Sequence, residues 1–205
     1  MDLLALSLFA ISSSITPGPN NMMMLASGVN YGFRASMPHL LGISLGFGFM
    51  LLALGLGLSV VFTQFPFAHT ALKIAGSVYM IWLAYKIATC HSALEGKGGK
   101  PMSFLQACAF QWVNPKAWMM ALGALATYPI ASEPYLAQVV MITLVFIVFN
   151  GPCVSVWLGL GISLKAWLSD PVRQMWFNRG MAALLILSLY PLLLEAHAWL
   201  QVKSF

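Results

Sequence analysis

The sequence predicts an all-α integral membrane protein with six transmembrane helices, arranged as two inverted three-helix repeats whose first helices (the first and fourth of the chain) are broken. Hydrophobic residues make up 60% of the 205 residues and charged residues only 7%, whereas a water-soluble domain carries roughly 25% charged residues. Apolar runs recur along the chain, each reaching the roughly 18 residues that cross about 30 Å of hydrocarbon. The two halves also carry proline breaks at matching places.

The first three spans are expected at residues 3–30, 38–62 and 71–89. The first has no basic segment ahead of it, because Asp2 is its only early charge, so we interpret it as a retained span and not as a signal peptide. The second carries GISLG, in which Gly42 and Gly46 are typical of a face that packs against another helix.

The last three spans are expected at residues 104–128, 135–164 and 180–200. The segment HSALEGKGGKP, residues 91–101, is the stretch with linker character. We therefore expect a single transmembrane domain over residues 1–205, divided into repeat one at 1–90, a linker at 91–103 and repeat two at 104–205.

Basic residues predict the orientation of the spans. Seven of them fall in the first, third and fifth loops: Arg34, Lys86, Lys97, Lys100, Lys165, Arg173 and Arg179. Lys73 and Lys203 fall on the opposite side. Because cytoplasmic loops are enriched in Lys and Arg, this asymmetry predicts that both termini lie outside the cytoplasm. The net charge of +5 then reflects loop orientation, and we expect no nucleic-acid partner.

The repeat is visible in matched segments of the two halves. GPNNMMMLASG (18–28) aligns with NPKAWMMALGA (114–124), and LGLGLS (54–59) aligns with LGLGIS (158–163). The second pair of segments is separated by eight more residues than the first, which indicates an insertion of eight residues in the second half. Two repeats of three helices each must insert in opposite orientations, as in secondary transporters whose binding sites lie where broken helices meet. Chance recurrence of Gly-Leu strings is the alternative.

The first break is ITPGPNN, residues 15–21. Pro17 and Pro19 lack an N–H, so carbonyls one turn earlier lose their partners. An unpaired backbone group in lipid costs several kcal/mol, so this segment is expected to face an interior cavity. Gly18 permits close approach, and polar groups come from Thr16, Asn20 and Asn21.

The second break is QWVNPKAW, residues 111–118. Here Pro115 lacks an N–H, and Gln111, Asn114 and Lys116 supply polar groups. A lysine inside a span costs about 2.5–3.5 kcal/mol on insertion scales and is expected to face a polar cavity. Helix N-termini and a cation suit a carboxylate, and amides and free carbonyls suit an ammonium group. Together the breaks predict a site for a small zwitterion such as an amino acid. The alternatives are a simple proline kink and a lysine that snorkels to the interface.

Further polar residues lie elsewhere in the spans. FNGPC, residues 149–153, is expected to form a third break, with Asn150 as a polar contributor and Pro152 as the kink, although a helix-packing asparagine is equally compatible. Glu195 and the four histidines lie near span ends, where interfacial positions are expected: His39, His69, His91 and His197. Lys116 or the substrate's ammonium group would then be as suitable a proton carrier as any carboxylate. The pattern indicates no cofactor, metal site or catalytic residue.

TPGPNN (16–21), NPKAW (114–118) and AGSVYMIWLAYKI (75–87) resemble the LysE/RhtB family of bacterial amino-acid exporters. Smaller details such as GISLGF are most similar to the branch that exports cysteine and O-acetylserine. The resemblance implies a multi-pass carrier of the bacterial cytoplasmic membrane, driven by the proton gradient. It implies functional roles for Thr16, Pro17, Gly18, Pro19, Asn20, Asn114, Pro115, Lys116, Gly151 and Pro152.

The favoured hypothesis is therefore a secondary exporter with an amino acid as substrate, a proton as coupling ion and the lipid bilayer as surroundings. A homodimer is left open. One alternative is an intramembrane enzyme, such as a thiol-disulfide carrier using Cys108 and Cys153, although the odd number of cysteines and the lack of a CxxC pair favour packing roles. Another is an accessory membrane scaffold, which would not require two polar breaks.

Overall fold

The computed structural model describes residues 1–58, 64, 66–89, 100–187 and 190, and all regular secondary structure among them is helical. The helices are α1 (Leu3–Ile15), α2 (Pro19–Ala53), α3 (Pro66–Ala88), α4 (Phe104–Gln111), α5 (Pro115–Thr127), α6 (Tyr135–Leu164) and α7 (Pro171–Leu187). A π-helical segment, Leu54–Leu58, follows α2, and a 3-10 turn, Trp167–Ser169, precedes α7. The prediction of an all-α fold is confirmed for the described residues.

Helix α2 is a hairpin of two limbs that meet at Gly32. This glycine has φ 76° and ψ −173°, in the positive-φ region that side chains disfavour. The hydroxyls of Ser27 and Ser36 lie 2.7 Å apart although the residues are nine positions apart. On a straight helix nine residues rise about 13.5 Å. The chain therefore turns back at Gly32, and the limbs correspond to the end of the first predicted span and the start of the second.

Glycines on α2 allow its limbs to lie close to neighbouring helices. A Cβ at Gly28 would collide with the backbone of α6, and a Cβ at Gly161 on α6 would collide with that of α2. On the second limb, a Cβ at Gly42 or Gly46 would lie 2.5–2.6 Å from backbone atoms of α4. The helix-packing role expected for GISLG is thus confirmed.

The described residues contain two helices that are long and apolar enough to cross a membrane, Pro19–Gly57 and Tyr135–Leu164, and α1 is a shorter apolar helix. The predicted first and fourth spans are divided at residues 16–18 and 112–114, between α1 and α2 and between α4 and α5. These two breaks are confirmed.

Three expectations about the helices are wrong. Helix α7 begins at Pro171 instead of residue 180, because the Asp170 side chain accepts hydrogen bonds from the backbone N–H groups of Val172 (2.8 Å) and Arg173 (3.0 Å) and caps an earlier start. Helix α6 continues through Pro152 without a break, since packing against neighbours tolerates one missing hydrogen bond.

The third wrong expectation concerns the Gly-Leu match between the halves. LGLGL at 54–58 is π-helical, with Gly57 at φ 110°, whereas LGLGI at 158–162 lies within the regular helix α6. The two segments share letters but not conformation. The predicted linker from residue 91 to 99 and the end of the sixth span, including Glu195, lie outside the described residues.

His39 also departs from expectation. Its side chain is 2% exposed and lies inside the helical assembly instead of at an interface. It faces inward because the hairpin at Gly32 folds the second limb of α2 back toward the first. Its surroundings are described below.

Candidate functional site

The first break separates α1 from α2 at residues 16–18. Thr16 is extended (φ −64°, ψ 147°), as expected for a residue before proline. Gly18 is also extended and stands immediately before Pro19, the first residue of α2. Proline suits that position because the first N–H groups of a helix have no intrahelical partner. The sequence TPGP thus ends one helix and begins the next within three residues.

The second break separates α4 from α5 and is built in the same way. Asn114 caps α5 by accepting a hydrogen bond from the backbone N–H of Lys116 at 3.2 Å, and Pro115 is the first residue of the helix. Pro19 and Pro115, which the sequence repeat aligns, therefore occupy equivalent helix-starting positions.

Three carbonyls at the end of α1 and in the first break accept hydrogen bonds from side chains of other helices. The Asn21 amide donates to the carbonyls of Ser14 (2.8 Å) and Thr16 (2.7 Å). The Trp157 indole N–H donates to the carbonyl of Ile15 at 3.0 Å. Because a buried carbonyl without a partner is costly, these donors stabilise the end of α1.

Lys116 joins the two breaks. Its ammonium Nζ donates to the carbonyl of Thr16 at 2.6 Å, to the Thr16 hydroxyl at 2.9 Å and to the carbonyl of Pro17 at 3.3 Å. The side chain is half-buried and spans a separation of 100 residues in sequence. Lys116 thus reaches the other break and does not snorkel away from it.

Gly18 makes room for this lysine. A Cβ built on Gly18 would lie 2.6 Å from Cδ and 3.1 Å from Nζ of Lys116. The backbone conformation of Gly18 is extended and open to any residue, so the requirement for glycine comes from the lysine side chain alone.

A second pair of residues crosses between the breaks. The Asn20 amide donates to the side-chain oxygen of Gln111 at 2.9 Å, and the Gln111 amide donates back to the side-chain oxygen of Asn20 at 3.2 Å. The Gln111 amide also donates to the carbonyl of Ala107 at 2.9 Å, and its side chain is fully buried. The pair holds the start of α2 against the end of α4.

The two breaks enclose a cavity of about 310 Å³, a volume that includes its open mouth. Its walls come from α1, α2, α5, α6 and the two breaks: Ser13, Ser14, Gly18, Asn20, Asn21, Phe47, Asn114, Lys116, Ala117, Met120, Asn150 and Val154. Lys116 is the charged residue of this lining among the described residues. The buried Ser14 hydroxyl has no hydrogen-bond partner there and is available to a ligand.

The structure brings most of the predicted site residues together. Six of them line the cavity: Gly18, Asn20, Asn21, Asn114, Lys116 and Asn150. Thr16 and Pro17 contact Lys116, whereas Pro152 is exposed and lies outside the lining.

Several lining residues were not predicted as site residues. Ser13 and Ser14 belong to SSS at 12–14, a polar run inside an apolar span that was a usable signal. Phe47 and Met120 carry no such signal, because apolar side chains look alike in sequence whether they face a core or a cavity.

Comparisons with known proteins identify the family of the chain. The family model described as LysE type translocator matches residues 11–194. Proteins named cysteine/O-acetylserine efflux protein from Escherichia coli strain K12, Shigella sonnei and Shigella flexneri are each 39% identical to the chain over 133 residues, which cover 64% of this chain and 68% of each relative. No solved structure matches the chain.

Proposed function

Because the chain belongs to the LysE type translocator family, we propose that it exports a small neutral amino acid or amino-acid derivative across the bacterial cytoplasmic membrane. Its relatives named for cysteine and O-acetylserine efflux make these two compounds the first substrates to test. A translocator moves its substrate chemically unchanged, so we assign no catalytic residue.

The membrane arrangement we propose has six spans in two inverted repeats. The surface supports burial in lipid, because large apolar side chains are exposed on α1, α2 and α6, among them Leu8, Phe49 and Val148. Gln174 at the start of α7 donates to the side-chain oxygen of Asn30 at 2.8 Å, so the predicted first and fifth loops adjoin. This end carries most of the basic residues and is the proposed cytoplasmic side.

The observation that carries the proposed site is the contact of Lys116 in one repeat with carbonyls at the helix break of the other. A zwitterion brings one ammonium and one carboxylate. Its ammonium can replace that of Lys116 at the carbonyls of Thr16 and Pro17, and its carboxylate can pair with the displaced lysine. Both exchanges keep every charge partnered, which a cavity of low dielectric requires.

This exchange also suggests how binding is linked to movement. Lys116 ties the two repeats together without substrate, and the substrate takes over both ends of that contact. A ligand shifts a conformational equilibrium only through contacts that differ between states, and this contact differs. Rocking of one repeat against the other would then open the cavity to the opposite side. Proton coupling, with Lys116 or the substrate's ammonium as carrier, and a homodimer remain part of the proposal.

The test is efflux from proteoliposomes loaded with radiolabelled L-cysteine or O-acetyl-L-serine, with and without an imposed proton gradient. We expect the wild-type protein to export at least one of them, and we expect Asn20→Ala and Lys116→Ala to lose export while remaining folded. Lys165→Ala is the control, because Lys165 is an exposed cation at the end of α6. Export by Lys116→Ala at the rate of this control would overturn the site assignment.

A further inference from the structure

A second cavity of about 500 Å³ lies near the proposed cytoplasmic end. Both limbs of α2, the end of α3 and the segment before α4 form its walls: Met23, Ala26, Ser27, Asn30, Tyr31, His39, Leu83, Lys86, Ile87, Lys100, Pro101 and Met102. None of these residues lines the cavity between the breaks.

His39 is the feature of this cavity that most needs a ligand. It is 2% exposed, and neither ring nitrogen has a hydrogen-bond partner among the described residues. Buried polar groups are nearly always paired, because an unpaired one loses its contacts with water and gains nothing in return. A ring that lines a cavity with both nitrogens unused offers a hydrogen bond to whatever enters.

The charge of the cavity favours an anionic group. Lys86 and Lys100 line it and both residues are exposed, and the Lys86 ammonium also lies 5.5 Å from the centre of the Trp82 ring. The described lining contains no Asp or Glu. Two other polar groups are already paired: the Ser27 hydroxyl with that of Ser36, and the Asn30 amide with the carbonyl of Ala26. The described lining thus offers a ligand two cationic side chains and the unpaired imidazole of His39.

One face of α2 runs from the first cavity to the second. Asn20 lines the first, and Met23, Ser27 and Asn30 line the second. Positions separated by three, seven and ten residues share a helix face, and ten residues rise about 15 Å. Met23 is buried against Phe110, the residue before Gln111. A molecule leaving the second cavity along this face would pass Met23 to reach the breaks.

We propose that the second cavity is an acceptance site for the carboxylate of the exported amino acid, with Lys86 and Lys100 holding the carboxylate and His39 hydrogen-bonding the same molecule. This inference rests on the proposed export function. The substrate binds here first, on the side where it enters, and then moves along α2 to the cavity between the breaks.

The test compares Lys86→Gln, Lys100→Gln and His39→Gln with Lys165→Gln, which removes an exposed cation of the same proposed side outside the cavity. In efflux of O-acetyl-L-serine, we expect the Lys86→Gln/Lys100→Gln double variant to raise the half-saturating concentration about tenfold, through loss of charge-assisted contacts, with the maximal rate kept. Lys100 is exposed, so Lys100→Gln remains informative if His39→Gln does not fold. Half-saturating concentrations equal to that of Lys165→Gln would overturn the inference.

Thermal stabilisation of the purified protein separates this inference from the export function. O-acetyl-L-serine is expected to raise the Tm of Lys116→Ala but not that of the same variant carrying Lys86→Gln and Lys100→Gln. The methyl ester of O-acetylserine, which lacks the carboxylate, is expected to have no effect. Failure of the wild type to export would refute the proposed function. An equal rise in Tm with and without Lys86 and Lys100, and with the acid and its methyl ester, would refute the acceptance site.

Discussion

Gly18→Ala is a small change with a large expected effect, because one methyl group would occupy the space of the Lys116 side chain. The new Cβ would lie 2.6 Å from Cδ of Lys116, where carbon atoms in contact are normally about 3.5–4.0 Å apart. The lysine must therefore withdraw by about 1 Å. Its Nζ already lies 3.3 Å from the carbonyl of Pro17, so this bond is lost, and the two bonds to Thr16 are weakened.

Hydrogen bonds to charged groups contribute roughly 1.5–3 kcal/mol each, and partial exposure of this lysine reduces the figure. We expect Gly18→Ala to lower the free energy of unfolding by about 2 kcal/mol, which corresponds to a fall in Tm of about 4–8 °C for a chain of this size. Export of O-acetyl-L-serine is expected to fall by about tenfold or more, since each 1.4 kcal/mol lost from the transition state is a factor of ten.

The assay combines thermal unfolding in detergent with efflux from proteoliposomes. Gly159→Ala is the matched control, because a Cβ at Gly159 on α6 meets nothing within 4 Å. Adding Lys116→Ala to Gly18→Ala removes the atoms that clash, so stability is expected to recover to that of Lys116→Ala alone while export stays lost. Two results would contradict a clash between the new methyl group at position 18 and the Lys116 side chain. One is wild-type stability and export in Gly18→Ala, and the other is a double variant whose stability does not recover.

Three further sets of variants test other contacts. In a double-mutant cycle, Asn20→Ala and Gln111→Ala are expected to have non-additive effects on the free energy of unfolding. The expected coupling is about 0.6–1.7 kcal/mol, as for polar pairs between membrane helices, and additive effects would show that the amide pair is not formed. Trp157→Phe keeps the aromatic ring but removes the donor to the Ile15 carbonyl, so Tm is expected to fall by about 2–4 °C for a loss near 1 kcal/mol, and an unchanged Tm would contradict the pairing. Cys108→Ala with Cys153→Ala is expected to keep export, because each thiol only donates to a carbonyl of a neighbouring helix, and loss of export in a folded variant would favour a redox mechanism.

Local chemistry explains what could be predicted from the sequence. Proline and glycine act within a few residues, so the breaks at 16–18 and 112–114 and the starts of α2 and α5 could be read directly. The start of α7 had the same kind of signal in Asp170–Pro171, an N-cap followed by a first-turn proline, although the apolar run alone suggested a later start.

Contacts between residues far apart in the chain could not be predicted from these local signals. The sequence indicated that Lys116 faces a polar cavity, but its partners are the carbonyls of Thr16 and Pro17, about 100 residues away, and they depend on how α1 packs near α5. The burial of His39 likewise depends on which face of the second limb of α2 packs inward, whereas the sequence shows only that His39 lies near a span end.

The central claim is that the two breaks form one substrate site. It is tested most directly by substrate protection of a single thiol at Ser13, which lines the cavity, compared with its exposed neighbour Ser12. In a background with the native cysteines replaced, alkylation of Ser13→Cys by a membrane-permeant maleimide is measured with and without O-acetyl-L-serine, which carries no thiol. We expect the substrate to slow alkylation of Ser13→Cys and to leave that of Ser12→Cys unchanged. Equal rates with and without substrate at both positions, or equal protection of both, would contradict it.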